Sequence, residues 1–419
     1  MVTVHRPLRV ALLSYRSKPH CGGQGVYVRH LSRELAALGH RVEVFSGQPY
    51  PDLDPGPALT RVPGLDLYRD DDPFRTPGLH EYRDWTDVLE TAMMWAGAFP
   101  EPLTFSIRAL RALAARPGQF DVVHDNQGLG YGLLGLPRLG LPLVASIHHP
   151  ITVDRRIDLA SLRWPDRLSR RRWYGFVRMQ ARVARQVARS GPLITVSESS
   201  RRDICRDFKV PPSRVHVIPL GVDTRVFRPR GAARVPGRII AVASADSPIK
   251  GVATLLRAVG KLATERDVHL VVVARPSDST ERLAAQLSLA GRVTFTPGLA
   301  EPQLAALLAS AEIAVVPSIY EGFSLTAVEH MASGTPLVTS RAGALPEVTG
   351  DAAVLVSAGD AEELAAALRR LHDSPSERAR LAERALARVN ERFTWPAVAA
   401  ATVERYRAAI DGTPGAAGC

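Results

Sequence analysis

Short apolar runs alternate with stretches of helical spacing along nearly the whole of this chain, and that alternation leaves few folds open. LRVALLSY reads as a strand, GGQGVYVRHLSRELAALGH carries helical spacing (Val28, Leu31, Leu35, Leu38) up to Gly39, and RVEVF reads as a second strand. Strand–helix–strand in that order implies a right-handed parallel βαβ unit. The rhythm returns in FDVVHDN, LPLVASIHHP and PLITVSESS, each an apolar strand followed by a polar, small-residue loop. A second series begins at Arg238 and runs through RIIAVAS, VHLVVVA, RVTFTP, IAVVPS and PLVTS, with helices between them. Residues 49–102, rich in proline, aspartate and glycine, read as loops and short helices. The expectation is an α/β chain of two doubly wound parallel-sheet domains with a cleft between them. Residues 1–222 form the first and 223–395 the second, with a last helix, 396–412, packing back on the first. Ligands of such sheets bind outside the carboxyl ends of the strands, so the loops that follow strands carry the search for function.

Composition narrows the class. The 419 residues can bury two cores without staples, and 46% apolar residues exclude wholesale disorder. Three cysteines without a CxxC pair exclude a disulfide scaffold and a cysteine-rich zinc site, and make a reduced, cytoplasmic setting the expectation. No stretch reads as a secretory segment or a bilayer span. The net charge of +11 is concentrated, since residues 155–189 hold eleven arginines and two aspartates. Arg171, Arg178, Arg182, Arg185 and Arg189 recur at helical spacing on one face, with Trp173, Phe176, Val177, Val183, Ala184 and Val187 opposite. Such a face fits an anionic membrane surface or a phosphorylated acceptor better than a nucleic acid, which would need the charge spread more widely.

The most informative segment is residues 313–340, IAVVPSIYEGFSLTAVEHMASGTPLVTS. The strand delivers Glu321 into a loop, Gly322 permits a tight turn, and Ser324 caps a helix that ends at Gly334. The unpaired amides of its first turn and the helix dipole favour an anion such as a diphosphate. Glu329 lies about 7.5 Å further along the axis, within reach of a ribose. By contrast, the acidic run Asp70–Asp72 sits in a proline-rich loop and reads as a solvated turn, not a metal site.

E-x7-E after a strand, followed by HMASGTPLV, resembles the retaining glycosyltransferases of family 4, which have the GT-B architecture of two Rossmann-like domains and a C-terminal crossover helix. GGQGVYVRHLSRELAALGHRVEVF, VIPLGVD, KGVATLLRA, VTFTPGLAE, GALPEVTGDAAVLV and the closing FTWP helix resemble further stretches of that family in the same order. The resemblance implies transfer of a hexose from a nucleotide diphosphate sugar to a hydroxyl acceptor, lipid-linked and phosphorylated acceptors included, with neither metal nor other cofactor. By the same resemblance Glu321 holds the donor sugar and Glu329 the ribose. Lys250 and the amides of Gly322, Phe323, Ser324 and Leu325 hold the diphosphate, and Thr296, Pro297, Gly298 and Leu299 surround the base. Gly22 and Gly23 allow close backbone approach of phosphate or acceptor. His148 offers a neutral imidazole to acceptor or phosphate.

The chain departs from the family pattern at three places. Asn126 stands where a second histidine is usual, which leaves a hydrogen-bonding group that cannot titrate. Ala245 replaces the arginine of the usual phosphate loop, and Arg275 is the candidate substitute. The strand before Arg275 runs into Ala274-Arg275-Pro276 instead of a glycine-rich turn. The alternatives to transfer are a nucleotide-sugar epimerase of the same architecture and a nucleotide-binding protein with little catalysis.

Overall fold

A computed structural model describes residues 6–18, 23–69, 71–231, 233–243 and 248–412. The chain divides into two compact units. The first comprises the chain up to Val196, Ser200–Ile218 and the stretch from Val398 onward; the second comprises Ser197–Ser199 and Pro219–Ala397.

The first unit is built on seven strands: β1 (Arg9–Ser14), β2 (Arg41–Ser46), β3 (Ala58–Arg61), β4 (Val122–Asn126), β5 (Leu143–Ser146), β6 (Leu193–Thr195) and β7 (Val215–Val217). They form one parallel sheet in the order β3-β2-β1-β4-β5-β6-β7. Every residue of β4 and β5 is buried, as expected where helices cover both faces of a parallel sheet. The order reverses between β1 and β4, and the loop after β4 opens at that switch point, with the loop after β5 beside it. Residues 49–102 hold more structure than their composition suggests: β3 adds an edge strand on β2, and the helix Trp85–Trp95 is capped by Asp84, whose carboxylate accepts from the amides of Thr86 and Asp87. The opening helix, Gly23–Ala37, buries Val28, Leu31 and Leu35, but Leu38 falls beyond its end and is 48% exposed.

The second unit is a six-stranded parallel sheet of β8 (Val235–Val242), β9 (His269–Val273), β10 (Val293–Phe295), β11 (Ala311–Val316), β12 (Leu337–Ser340) and β13 (Ala353–Val356), in the order β10-β9-β8-β11-β12-β13. Its switch point lies between β8 and β11. Val222 bridges to Thr394, and a Cβ on Gly221 would lie 2.5 Å from the Trp395 nitrogen, so only glycine fits there. The last helix, Trp395–Asp411, leaves the second unit and belongs to the first from Val398 onward.

The arginine-rich segment is not one helix. It spans three, Thr152–Ser161, Trp164–Trp173 and Phe176–Ser190, the last break falling at Tyr174-Gly175. Arg171 therefore sits on a different helix from Arg178, Arg182, Arg185 and Arg189, which correct the single face expected from spacing. The glycine and the chain turn around it override the periodicity. Helix Phe176–Ser190 buries Phe176, Val177, Val183, Ala184 and Val187 and exposes those four arginines. Among the described residues no helix is long and apolar enough to cross a membrane.

Candidate active site

In the second unit the loops after β8 and β11 meet. Lys250 Nζ donates to Glu321 Oε1 at 2.7 Å, and the Ser318 hydroxyl donates to the same oxygen at 2.8 Å. The two loops are also tied by the Ile319 amide, which donates to the Ile249 carbonyl at 2.7 Å. Two glycines make this approach possible. Gly251, at φ +68°, leaves no room for a Cβ, which would lie 2.0 Å from the Pro317 carbonyl oxygen; Gly343, at φ +53°, is equally tight against the Glu321 carbonyl oxygen, 2.1 Å from its virtual Cβ. Ser318 and Gly343 lie within the stretches that resemble the family, but only their distance to Glu321 in the fold reveals their part in holding it.

Ser324 caps the helix Leu325–Ala332, its hydroxyl accepting from the Ala327 amide, and it does so at φ +79°. Phe323 is buried against Phe393, so it anchors the loop while its side chain stays out of the site. Glu329 lies on the same helix, and burial, with a smaller push from Glu301, raises its carboxyl to about 7. A ligand that hydrogen-bonds to this carboxylate pulls it back toward ionisation. The loop at Thr296–Leu299 follows β10, with the Thr296 amide held by the Val272 carbonyl and Gly298 at φ +71°. Arg275 is exposed after β9. Ala245 lies outside the described residues.

In the first unit, Asn126 ends β4 and His148 follows β5. His148 Nε2 lies 2.7 Å from Asn126 Oδ1. Burial pushes the His148 imidazole down to about 3, so it is neutral at physiological pH. His149 instead pairs with Asp154 at 2.8 Å. The loop between Asn126 and Gly130 is bent by Gln127 at φ +58° and Leu129 at φ +49°, conformations that cost about 1–3 kcal/mol each for such residues. Its bonds offset that cost. The Gln127 side chain accepts from the His148 amide, Gln180 donates to the Gln127 carbonyl, and the buried Asp125 carboxylate accepts from the Leu129 amide. Gln127 and Gln180 went unrecognised in the sequence because nothing local marks a glutamine that braces a distant loop. Gly23 opens the first helix with free space around it, whereas a Cβ on Gly25 would lie 2.0 Å from the Lys18 carbonyl oxygen. Gly22 lies outside the described residues. Asp71 and Asp72 are exposed and face Arg69 in ion pairs, and Asp70 lies outside the described residues.

Residues 21–226 match the profile described as Glycosyltransferase Family 4, and residues 236–374 that of Glycosyl transferases group 1. The MMP alpha-(1->4)-mannosyltransferase of Mycolicibacterium hassiacum is 58% identical over 96% of this chain and 98% of its own length. The chain belongs to glycosyltransferase family 4. The D-inositol 3-phosphate glycosyltransferase of Streptomyces coelicolor is 30% identical, covering 97% of this chain and 92% of that one. The family's GT-B fold is matched by the sucrose-phosphate synthase of Thermosynechococcus elongatus, with a TM-score of 0.71 at 23% identity over 96% of this chain and 98% of that one. This family 4 glycosyltransferase thus pairs Lys250 with Glu321 at the switch point of its second sheet, where a doubly wound domain binds its ligand.

Proposed function

We propose that this glycosyltransferase moves a mannosyl group from a nucleotide diphosphate mannose to a hydroxyl acceptor, with retention, forming an α-(1→4) link. The observation that carries the reading is the Lys250–Glu321 pair beside a serine-capped helix start. The choice of sugar and linkage rests on the mannosyltransferase that is 58% identical to this chain. In the reaction the bond from sugar C1 to the diphosphate breaks and a bond from C1 to the acceptor oxygen forms on the same face. The acceptor proton passes to the departing phosphate oxygen. Lys250 and the first-turn amides supply the positive charge that the leaving diphosphate needs, so the reaction runs without a metal. Glu321 orients the sugar hydroxyls and Glu329 the ribose.

A panel of nucleotide diphosphate mannoses and glucoses, incubated with mannoside acceptors, tests this directly. The expected product is an α-(1→4) mannoside, read from the anomeric coupling and linkage analysis. A donor converted to another sugar without an acceptor would establish an epimerase, and tight binding without turnover a non-catalytic protein.

The same proposal places the enzyme in the cytoplasm at an anionic membrane surface. Helix Trp164–Trp173 supports this: it buries no residue, exposes Trp164 by 74% and Leu168 by 50%, and flanks them with Arg163, Arg167, Arg170, Arg171 and Arg172. Each arginine near an anionic bilayer contributes about 1 kcal/mol. The protein should float with anionic vesicles at low salt and stay behind with zwitterionic ones, and Trp164→Glu with Leu168→Glu should abolish the flotation. Equal recovery of the double variant would remove the membrane from the reading.

A further inference from the structure

His124 has no part in the chemistry above, yet its surroundings are the most completely bonded of any buried histidine described. It sits mid-strand in β4, fully buried, at a position where the neighbours Val122 and Val123 are aliphatic. Its Nδ1 lies 2.7 Å from the hydroxyl of Tyr406, itself fully buried on the C-terminal helix, and its Nε2 lies 2.7 Å from the hydroxyl of Ser146 in β5. The Ser146 hydroxyl continues to the Tyr27 hydroxyl at 3.1 Å. The Tyr27 ring then stands edge-on to two imidazoles, that of His124 at 6.2 Å and that of His148 at 4.7 Å.

We propose that Tyr406 is a positioning residue for His148, acting through His124, Ser146 and Tyr27. The inference rests on the reading of His148 as a substrate-facing group, and it explains how one tautomer of that group is presented. Asn126 Nδ2 faces two oxygens, Ser14 Oγ and the Gln24 carbonyl, each at 3.5 Å, which sets its Oδ1 toward His148. His148 Nε2 therefore carries the proton and donates to Asn126. Nδ1 keeps its lone pair and has no hydrogen-bond partner among the described residues, so it is the atom left to accept from a sugar hydroxyl. The ring can hold that aim only if Tyr27 holds its own position beneath it. The Tyr27 hydroxyl meets Ser146, Ser146 meets His124, and His124 meets Tyr406.

A neutral His124 carries one proton and one lone pair, so the chain can run in a single direction from Tyr406 to Tyr27 or back. Each bond polarises the next. A mere structural peg needs only the Tyr406–His124 bond; the continuation through Ser146 to the ring that touches His148 is what a peg does not need. The arrangement makes the helix Trp395–Asp411 a condition for an ordered His148.

Tyr406→Phe removes one hydroxyl and nothing else. The expected result is a fall in kcat of about tenfold or more at little change in donor KM, the pattern of a misplaced group. Long-range 1H–15N spectra of the histidine rings should show His148 as the Nε2–H tautomer in the wild type and as a mixture in the variant. Should Tyr406→Phe fail to fold, Ser146→Ala cuts the same path one step later and should give the same mixture. In the folded double variant the two losses should combine to less than their product, because both break one path. An unchanged His148 spectrum in either folded variant overturns the positioning role. A changed spectrum with an unchanged kcat upholds Tyr406 as the residue that orients His148 and overturns the reading of His148 as a substrate-facing group. Because the spectrum is read without substrate, it decides the positioning whether or not mannosyl transfer is the reaction.

Discussion

Lys250→Met should lower kcat for glycosyl transfer by about 10²- to 10³-fold, the usual cost of removing one preorganised positive group from a developing anion. The geometry explains both the size and the specificity of this effect. Lys250 Nζ lies 2.7 Å from Glu321 Oε1, where the lysine side chain is 36% exposed and the glutamate 12%. An ion pair that open to water stabilises the fold by at most about 1 kcal/mol, so the variant should fold and melt nearly as the wild type does. The lysine charge stands just before Gly251, on a segment tied to the loop after β11 through Ile319 and Ile249. On the proposed reading, Lys250 exchanges its carboxylate for phosphate when a diphosphate binds, while Glu321 turns to the sugar. Glu321→Gln should consequently reduce kcat as well, while leaving Lys250 free for phosphate and nucleotide diphosphate affinity intact. Steady-state rates with product affinity by calorimetry check both variants. A loss below tenfold for Lys250→Met would place the leaving-group charge elsewhere, with Arg275 the next residue to replace.

His330→Leu should stabilise the protein, and by a margin that widens as the pH falls. His330 is fully buried and both of its ring nitrogens are without a hydrogen-bond partner among the described residues. Leaving such groups unsatisfied costs about 1–3 kcal/mol, which leucine of similar size avoids. Burial also pushes the imidazole down to about 3. The unfolded chain binds this proton at about pH 6.5 and the folded chain does not, so the wild type loses about 1.4 kcal/mol per pH unit from this residue between those limits. At neutral pH the term is absent; by pH 5 it should add about 2 kcal/mol to the advantage of the variant. Glu101 and Glu329, raised by burial to about 8 and about 7, work the opposite way, since they favour the folded state less as the pH rises from the ordinary carboxylate range. They are common to both proteins and cancel in the difference. Denaturant midpoints of the two proteins at pH 7 and pH 5 measure it, and a difference that stays constant with pH would show that His330 finds a proton partner in solution.

The strand–helix alternation, the two parallel sheets and the capped helix at Ser324 were all legible in the sequence. Each depends on residues near one another along the chain: apolar runs of strand length, helical spacing, a cap and a glycine stop. So was the family, carried by motifs in fixed order. Local pattern failed where the structure is decided by what lies across space. The run from Arg171 to Arg189 kept perfect helical spacing and still broke at Gly175, because periodicity records which face is apolar and says nothing of where the axis bends. β3 was hidden in a proline-rich stretch because an edge strand draws half its bonds from a neighbour already in place. The bonds that converge on Glu321, and those that run from Tyr406 to Ser146, join residues up to 282 positions apart. No spacing rule reaches that far. Sequence alone settled most of the elements and the family, since both arise from local propensity and from motifs in fixed order. Tertiary structure alone decided that His148 Nε2 faces Asn126, that Lys250 pairs with Glu321, and that His330 is sealed without a partner among the described residues, since each of these is a matter of which atoms the packed fold brings within about 3 Å.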